Sequence, residues 1–238
     1  MKVALICIAK NEDNYIDEWL KYHKKIGFDK IFIYENNWRC PPNINYDFVE
    51  KTEFDGEIQQ IPAYNHFIYY KSHDFDWVCF LDVDEFIVLK QHSNIKDFLN
   101  NYSHLKCIAL NWLFFGNDDL KFNGEYSLIK RFTKRQAELN KHIKCIFKPS
   151  KKIGMNIHQP NMSWVDMENN EGTGPFSSCK NDSVAFVAHF FCKTPEEFNE
   201  KINRGRADMN RPRSLEDYTE GNNNIVEDLS VYNFMYGN

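Results

Sequence analysis

Apolar runs in this 238-residue chain stop well short of the ~18 residues a bilayer crossing needs, so no membrane span is expected. The opening run ends at Ala9, too short for a secretory signal with its cleavage site. No long basic block occurs and the net charge is -5, which argues against nucleic acid as the main partner. There is no C-x-x-C pair, and the seven cysteines are an odd number. Cys7, Cys79 and Cys107 lie inside apolar runs, where a free thiol behaves as a small hydrophobe. That usage points to a reducing compartment, the cytoplasm. Repeats and obvious linkers are missing too. What is present is ample core material: 42% hydrophobic and 16% aromatic residues, enough to fold without staples.

Val3 to Ala9 is uninterrupted and apolar, the pattern of a strand buried on both faces. Tyr15, Ile16, Trp19, Leu20, His23 and Ile26 then recur at helical spacing, and Gly27 stops the helix. Lys30 to Tyr34 reads as a second strand, parallel to the first through a right-handed crossover. Glu57 to Ile61 reads as a short strand after the Asp55-Gly56 turn, and Tyr64 to Ser72 as a helix. Cys107 to Phe115, Lys144 to Lys148 and Ser183 to Phe191 are further strands. Asn156 to Lys180 reads as a long polar loop, a common form of substrate lid. Thr194-Pro195-Glu196-Glu197 carries the cap, proline and glutamate of a helix start. From Arg211 a peripheral tail with one short helix is expected.

The segment Trp77 to Leu81 is a buried-strand pattern that ends in Asp82, Asp84 and Glu85. Such a cluster repels itself unless a cation sits in it, and hard divalent cations share carboxylates with substrate phosphates. The alternative is an ordinary acidic turn. Asn11, Glu12 and Glu35 follow strand ends, where nucleotides bind in doubly wound sheets; they could equally cap a helix or face solvent. His189, among six apolar neighbours, is a metal ligand or a satisfied core histidine, with His158 competing for the ligand role. Lys193, Lys201, Arg204 and Arg206 could offset a diphosphate, or form a solvated face paired with Glu196, Glu197 and Glu200. Trp112, Phe114 and Phe115 are a sugar platform or core. Asp118, Asp119 and Asp166 are candidate general bases.

Together, Ala9-Lys10-Asn11-Glu12, Asp17-Glu18-Trp19-Leu20, Tyr22-His23, Ile33-Tyr34-Glu35-Asn36, Phe80-Leu81-Asp82-Val83-Asp84-Glu85-Phe86, Asn111-Trp112-Leu113-Phe114-Phe115-Gly116 and His189-Phe190-Phe191-Cys192-Lys193-Thr194 form an ordered set. The later Glu196-Glu197-Phe198, Lys201 and Arg204-Gly205 extend it. This set resembles glycosyltransferase family 2 and family 92-like proteins over residues 2 to 208. The resemblance implies an α/β fold of the GT-A type, a Rossmann-like mixed central sheet flanked by helices. It implies one domain over 1–208, with a nucleotide-sugar-binding half (1–90) and an acceptor half (91–208), then a peripheral tail (209–238). It implies Mn2+ or Mg2+, a nucleotide-sugar donor (UDP-sugar), a glycan or glycolipid acceptor, and hexose transfer with inversion. Asp82, Asp84 and His189 would then hold the metal. Ala9, Asn11, Glu12 and Glu35 would line the nucleoside pocket, and Tyr64, Asn65, Asp82, Lys193 and Arg204 would contact the donor. Asn117-Asp118-Asp119 departs from the family pattern of small residues, which puts Asp118 and Asp119 in doubt as a family-wide base. Richness in Asn, Lys, Ile and Phe suggests an AT-rich bacterial genome, and the expectation is work in lipopolysaccharide or capsule synthesis in the cytoplasm or at the inner membrane face.

Two other readings compete. A D-x-D phosphatase or phosphotransferase would use an aspartyl nucleophile, but its motif usually sits on the first strand. A non-catalytic nucleotide-sugar-binding module would bind the donor without hydrolysing it.

Overall fold

Seven consecutive apolar residues form β1 (Val3–Ala9), and all seven are buried. Strand alternation sends Val3, Leu5, Cys7 and Ala9 into one core cluster and Ala4, Ile6 and Ile8 into another on the opposite face. A computed structural model describes residues 1–209, 211 and 213–237. Helix α1 (Ile16–Ile26) buries Ile16, Trp19, Leu20, Tyr22, His23 and Ile26, as their spacing demands. Gly27, at φ 112°, closes it by donating to the His23 and Lys24 carbonyls. β2 (Lys30–Glu35) pairs parallel with β1, and β3 (Val49–Glu53) pairs parallel with β2.

The strand expected at Glu57 to Ile61 does not form. The extra strand is β3, before the Asp55-Gly56 turn, and Gln60 already opens α2 (Gln60–Tyr70). β3 is an edge strand of half-buried polar residues, so it carries little apolar signal. β4 (Trp77–Phe80), β5 (Glu85–Leu89), α3 (Ile95–Asn101) and β6 (Cys107–Phe114) follow. Next come α4 (Leu128–Arg131), β7 (Lys134–Arg135), β8 (Ile143–Phe147), β9 (Trp164–Val165), β10 (Glu171–Gly172) and β11 (Ala185–His189). The two-residue strands β9 and β10 lie in the stretch expected to be loop throughout. The last elements are α5 (Pro195–Arg204), α6 (Leu215–Gly221), β12 (Val226–Glu227) and α7 (Ser230–Tyr236). The final segment therefore holds two helices where one was expected.

The main sheet runs β10-β9-β6-β8-β4-β1-β2-β3, with β11 joining β6 to β5. It is mixed: β4, β1, β2 and β3 are parallel, whereas β8 is antiparallel to both β4 and β6. The fold is thus α/β, a mixed central sheet with helices on its faces. Parallel β1 and β4 end at one sheet edge, which puts Lys10 and Asp82 on the same side of the molecule. Antiparallel β11 sets His189 opposite Glu85, and its parallel pairing with β6 sets His189 beside Phe114.

Candidate active site

The acidic turn after β4 is neutralised from within the chain. Lys144, the second residue of the otherwise apolar strand β8 and 1% exposed, places its ammonium 3.1 Å from Asp82 Oδ2 and 3.3 Å from Glu85 Oε2. Asp82 Oδ1 also accepts from Gln60 Nε2 at 3.0 Å, at the start of α2. Asp84 turns elsewhere: its Oδ2 accepts from Lys201 Nζ at 2.5 Å, and its Oδ1 lies 3.4 Å from His189 Nε2. Burial pushes the Asp84 carboxyl up, but Lys201, His189 and Lys193 outweigh it and hold it well below the usual carboxylate range. Burial brings the Lys201 ammonium down to about 8 against the pull of Asp84. Burial likewise holds Glu85 well above the usual range, with Lys144 acting in the opposite sense. Because the strand stops at Phe80, the turn sends Asp82 and Asp84 to different cations and not to one shared point.

Of these residues, Asp82, Asp84, His189 and Lys201 floor a cavity of about 440 Å³. Ile8, Lys10, Glu12 and Gln60 line one side, Trp112, Phe114, His142 and His158 another. Gly205 to Met209, Arg213, Asp217 and Glu220 complete the wall. Strand parity explains the aromatic part: Trp112 and Phe114 line the cavity, whereas Phe115 is packed in the core.

Several expected donor contacts lie elsewhere. Ala9 is fully buried in the core, and its neighbours Ile8 and Lys10 line the cavity instead. Tyr64 points one turn beyond Gln60 into the core against Phe80. Asn65 Oδ1 accepts from Met155 N at 2.9 Å, bracing a loop. Glu35 faces Lys51 at 3.1 Å on the outer strands. Asn11, at φ 49°, and Lys193, whose ammonium sits 3.7 Å over the Tyr15 ring, line a separate depression. The helix-cap alternative for Asn11 and Glu12 is not seen, since Tyr15 is the N-cap of α1 and no side chain caps it. Glu12 is bound to Arg204 at 2.5 Å, with Glu12 Oε2 left unpartnered. The solvated basic face on α5 is not seen either: Lys201, Arg204 and Arg206 pair with Asp84, Glu12 and Asp208.

None of the three expected bases lines the donor cavity, and two of them are held by hydrogen bonds within the chain. Asp166 is 1% exposed and accepts from Glu168 N, Asn170 N and Ser177 Oγ. Asp118 accepts from Thr133 N, Thr133 Oγ1 and Lys134 N. Asp119 is exposed and outside the cavity. The Asp118 and Asp166 carboxylates satisfy backbone N–H groups, whereas Asp119 joins its turn through its own N–H, which donates to Asn117 Oδ1 at 2.9 Å.

A family model of glycosyltransferase family 92 matches residues 45–211, more than half of the chain. This protein belongs to glycosyltransferase family 92. Of the two families its sequence resembles, this is the one the match supports. It is 26% identical over 114 residues to a family 92 protein of Ricinus communis, covering 43% of this chain and 20% of that one. It is 22% identical over 212 residues to one of Arabidopsis thaliana, covering 82% of this chain and 36% of that one. The chain thus spans well under half the length of these curated relatives. It also superposes on S. aureus TarS with TM-score 0.39 and 15% identity, over 85% of this chain and 38% of that one, too loosely to carry an argument.

In this family 92 chain, a divalent ion fits two side chains. Asp84 Oδ1 and His189 Nε2 are close enough to share one, and such ions take further oxygens from phosphate and water. Behind the imidazole, His189 Nδ1 and Glu85 Oε1 are both buried and unpartnered, 4.0 Å apart. At that separation the two make no hydrogen bond. Among the described residues no three His, Cys, Asp or Glu side chains gather as a metal group, so Asp82 is not a third ligand here. The local signal that would have revealed Lys144 was a lysine inside Ile143-Lys144-Cys145-Ile146-Phe147. Gln60 and His142 gave no such signal.

Proposed function

We propose that this chain moves a hexose from a UDP-sugar to a hydroxyl of a glycan or glycolipid, with inversion, in a GT-A-type arrangement. The observation that carries the reading is the facing pair Asp84 and His189 on the floor of a cavity rimmed by Lys10, Lys201, Arg204, Arg206 and Arg213. The nucleoside would lie over Ile8, Lys10 and Gln60, in the half formed by residues 1–90. The rim cations offset the charge that builds on the departing diphosphate. Arg204 is fixed for that task by its pair with Glu12 and its bond to the Asn11 carbonyl at 3.2 Å. Trp112 and Phe114 give a sugar ring an apolar wall. Asp84 and His189 would hold Mn2+ or Mg2+, which when bound adds Lewis-acid stabilisation of the leaving group. An aspartyl-phosphate route has less support, because Lys144 and Lys201 already engage Asp82 and Asp84.

The test is a melting-temperature panel of UDP, UDP-glucose and UDP-galactose with and without MnCl2. A ligand at ~100 times its Kd stabilises the fold by about 2.7 kcal/mol, a rise of several degrees. The rise is expected with nucleotide and manganese together and is lost in Asp84→Asn. Equal shifts in wild type and variant, or none with any nucleotide, would refute the reading.

A further inference from the structure

With Asp118 and Asp166 held by hydrogen bonds and Asp119 outside the lining, the donor cavity offers few free bases. Its carboxylates Glu12, Asp82, Asp84 and Asp208 are each paired with a lysine or arginine. Asp217 accepts from Ser214 N at 2.7 Å in the capping box of α6, and Glu220 stands exposed at the rim. A second, open depression of about 720 Å³ lies beside this cavity, lined by residues 136–142 with Phe176 and Ile225. The two hollows share just Asn140 and His142 among their lining residues.

We infer that His142 is the general base that takes the acceptor's proton, that Asn140 orients it, and that the second depression receives the acceptor glycan. This rests on the transferase reading above. The hydrogen bonds fix the tautomer. Asn140 Oδ1 accepts from the His142 backbone N–H at 2.9 Å, so that atom is the amide oxygen, an acceptor alone. The same oxygen lies 2.8 Å from His142 Nδ1, which must therefore carry the hydrogen. Nε2 is left with its lone pair.

The scaffold is rigid. Asn140 N donates to the Trp112 carbonyl and Trp112 N to the His142 carbonyl, both at 2.8 Å. Buried Asn111 ties the Asn140 carbonyl at 3.0 Å to the Ser177 carbonyl at 3.2 Å. The imidazole stacks on Trp112 at 4.9 Å and meets the Phe176 edge at 4.7 Å. Its titratable and charged neighbours are Lys144 on the adjoining strand β8, His158 in the facing loop and His189 on β11. Burial first, then His189 and Lys144, lower it below the ordinary histidine value, so it is neutral at pH 7. His158 is pushed down further, to about 3, and lines the donor cavity alone. Exposed Phe176 and Ile225, beside Gln136, Glu138 and Lys141, suit a sugar's mixed faces.

In the step, the acceptor oxygen bonds the anomeric carbon while its O–H bond breaks and the proton passes to Nε2. The bond from that carbon to the diphosphate oxygen breaks, its electron pair leaving with the nucleotide. The imidazolium then loses its proton to solvent through the open depression.

The experiment follows UDP release from UDP-glucose and UDP-galactose with water as acceptor, together with the melting shift. His142→Gln is expected to keep the donor-induced shift while slowing release ~10²–10⁴-fold. Asn140→Asp puts a negative charge behind the ring and is expected to move the acid limb of the rate profile to higher pH. A merely structural residue would not move that limb. Glu220→Gln, whatever it does to donor binding, is expected to leave the acid limb of the profile where it stands in the wild type. A normal donor shift with an unslowed His142→Gln, or a moved limb in Glu220→Gln, overturns the base alone. Absence of any nucleotide response in wild type overturns the transferase reading and the base with it. If the wild type releases no UDP, long-range ¹⁵N spectra of labelled histidine decide, with the His142 signals assigned by their loss in His142→Gln. Hydrogen on Nδ1 supports the proposal, and hydrogen on Nε2 at pH 7 overturns it.

Discussion

Asp84 and Lys201 illustrate what a side chain's neighbours decide that its own position does not. Removing one member of a buried ion pair leaves the other uncompensated, at a cost of about 3–5 kcal/mol. Asp84→Asn should lose much of that in urea unfolding, lessened because Lys201, already down at about 8, can shed its proton. Asp84→Asn/Lys201→Met should recover most of the stability and none of the nucleotide response. Equal stability of the single and double variants would remove the pair from the account. The acids themselves were legible, since three carboxylates closing an apolar run form a local pattern. Their counter-ions were not, because Lys144 lies 62 residues and Lys201 117 residues further along the chain. Asp166 was misjudged for another reason: its partners Glu168 N and Asn170 N are two and four residues away, a local turn that its sequence does not distinguish from a loop carboxylate free to act.

Among the elements, α5 carries the most chemistry for its length. Its N-terminus is a full capping box, Thr194 with Glu197, as the local sequence announces. Glu197 does more than cap: it accepts two bonds from Arg131, at 2.9 and 2.7 Å, and one from Tyr15 Oη at 2.7 Å. Burial pushes its carboxyl up, but Arg131 and Tyr15 outweigh that and hold it below its free value of 4.5. Below that pH the unfolded chain binds the proton first, so stability present at neutral pH is lost as pH falls through the folded value. Glu197→Gln should therefore lower stability at pH 7 and flatten its decline below about 4.5. Unfolding midpoints at several pH values measure this, and parallel curves for the two proteins would count against it. β1, α1 and β6 were readable for a related reason: each has its periodicity within one window. β3 was missed because its residues are polar at a sheet edge. β9 and β10 are two residues long and exist through pairing alone.

At the level of the whole molecule, the C-terminal stretch is tied to the loop that follows β6 and to β7. Asn222 and Asn224 side chains accept from the backbone N–H groups of Asn117 and Asp118, each at 2.9 Å. Asp228 binds Arg135 at 2.9 Å, and Val231 is buried. Gly116 permits this close approach, since a Cβ there would meet Asn224 Oδ1 at 2.1 Å. Gly116→Ala should cost about 1–3 kcal/mol and, by displacing the segment that follows α6, weaken the nucleotide-induced melting shift. Limited proteolysis should cut the region around 222–224 faster in that variant; an unchanged cleavage rate and shift would contradict the tie. The acidic corner has a practical consequence as well. Because its counter-charges are covalent parts of the polypeptide, the protein should stay folded in a chelator such as EDTA. Activity that disappears there and returns on adding back an ion would then report on chemistry and not on collapse of the scaffold.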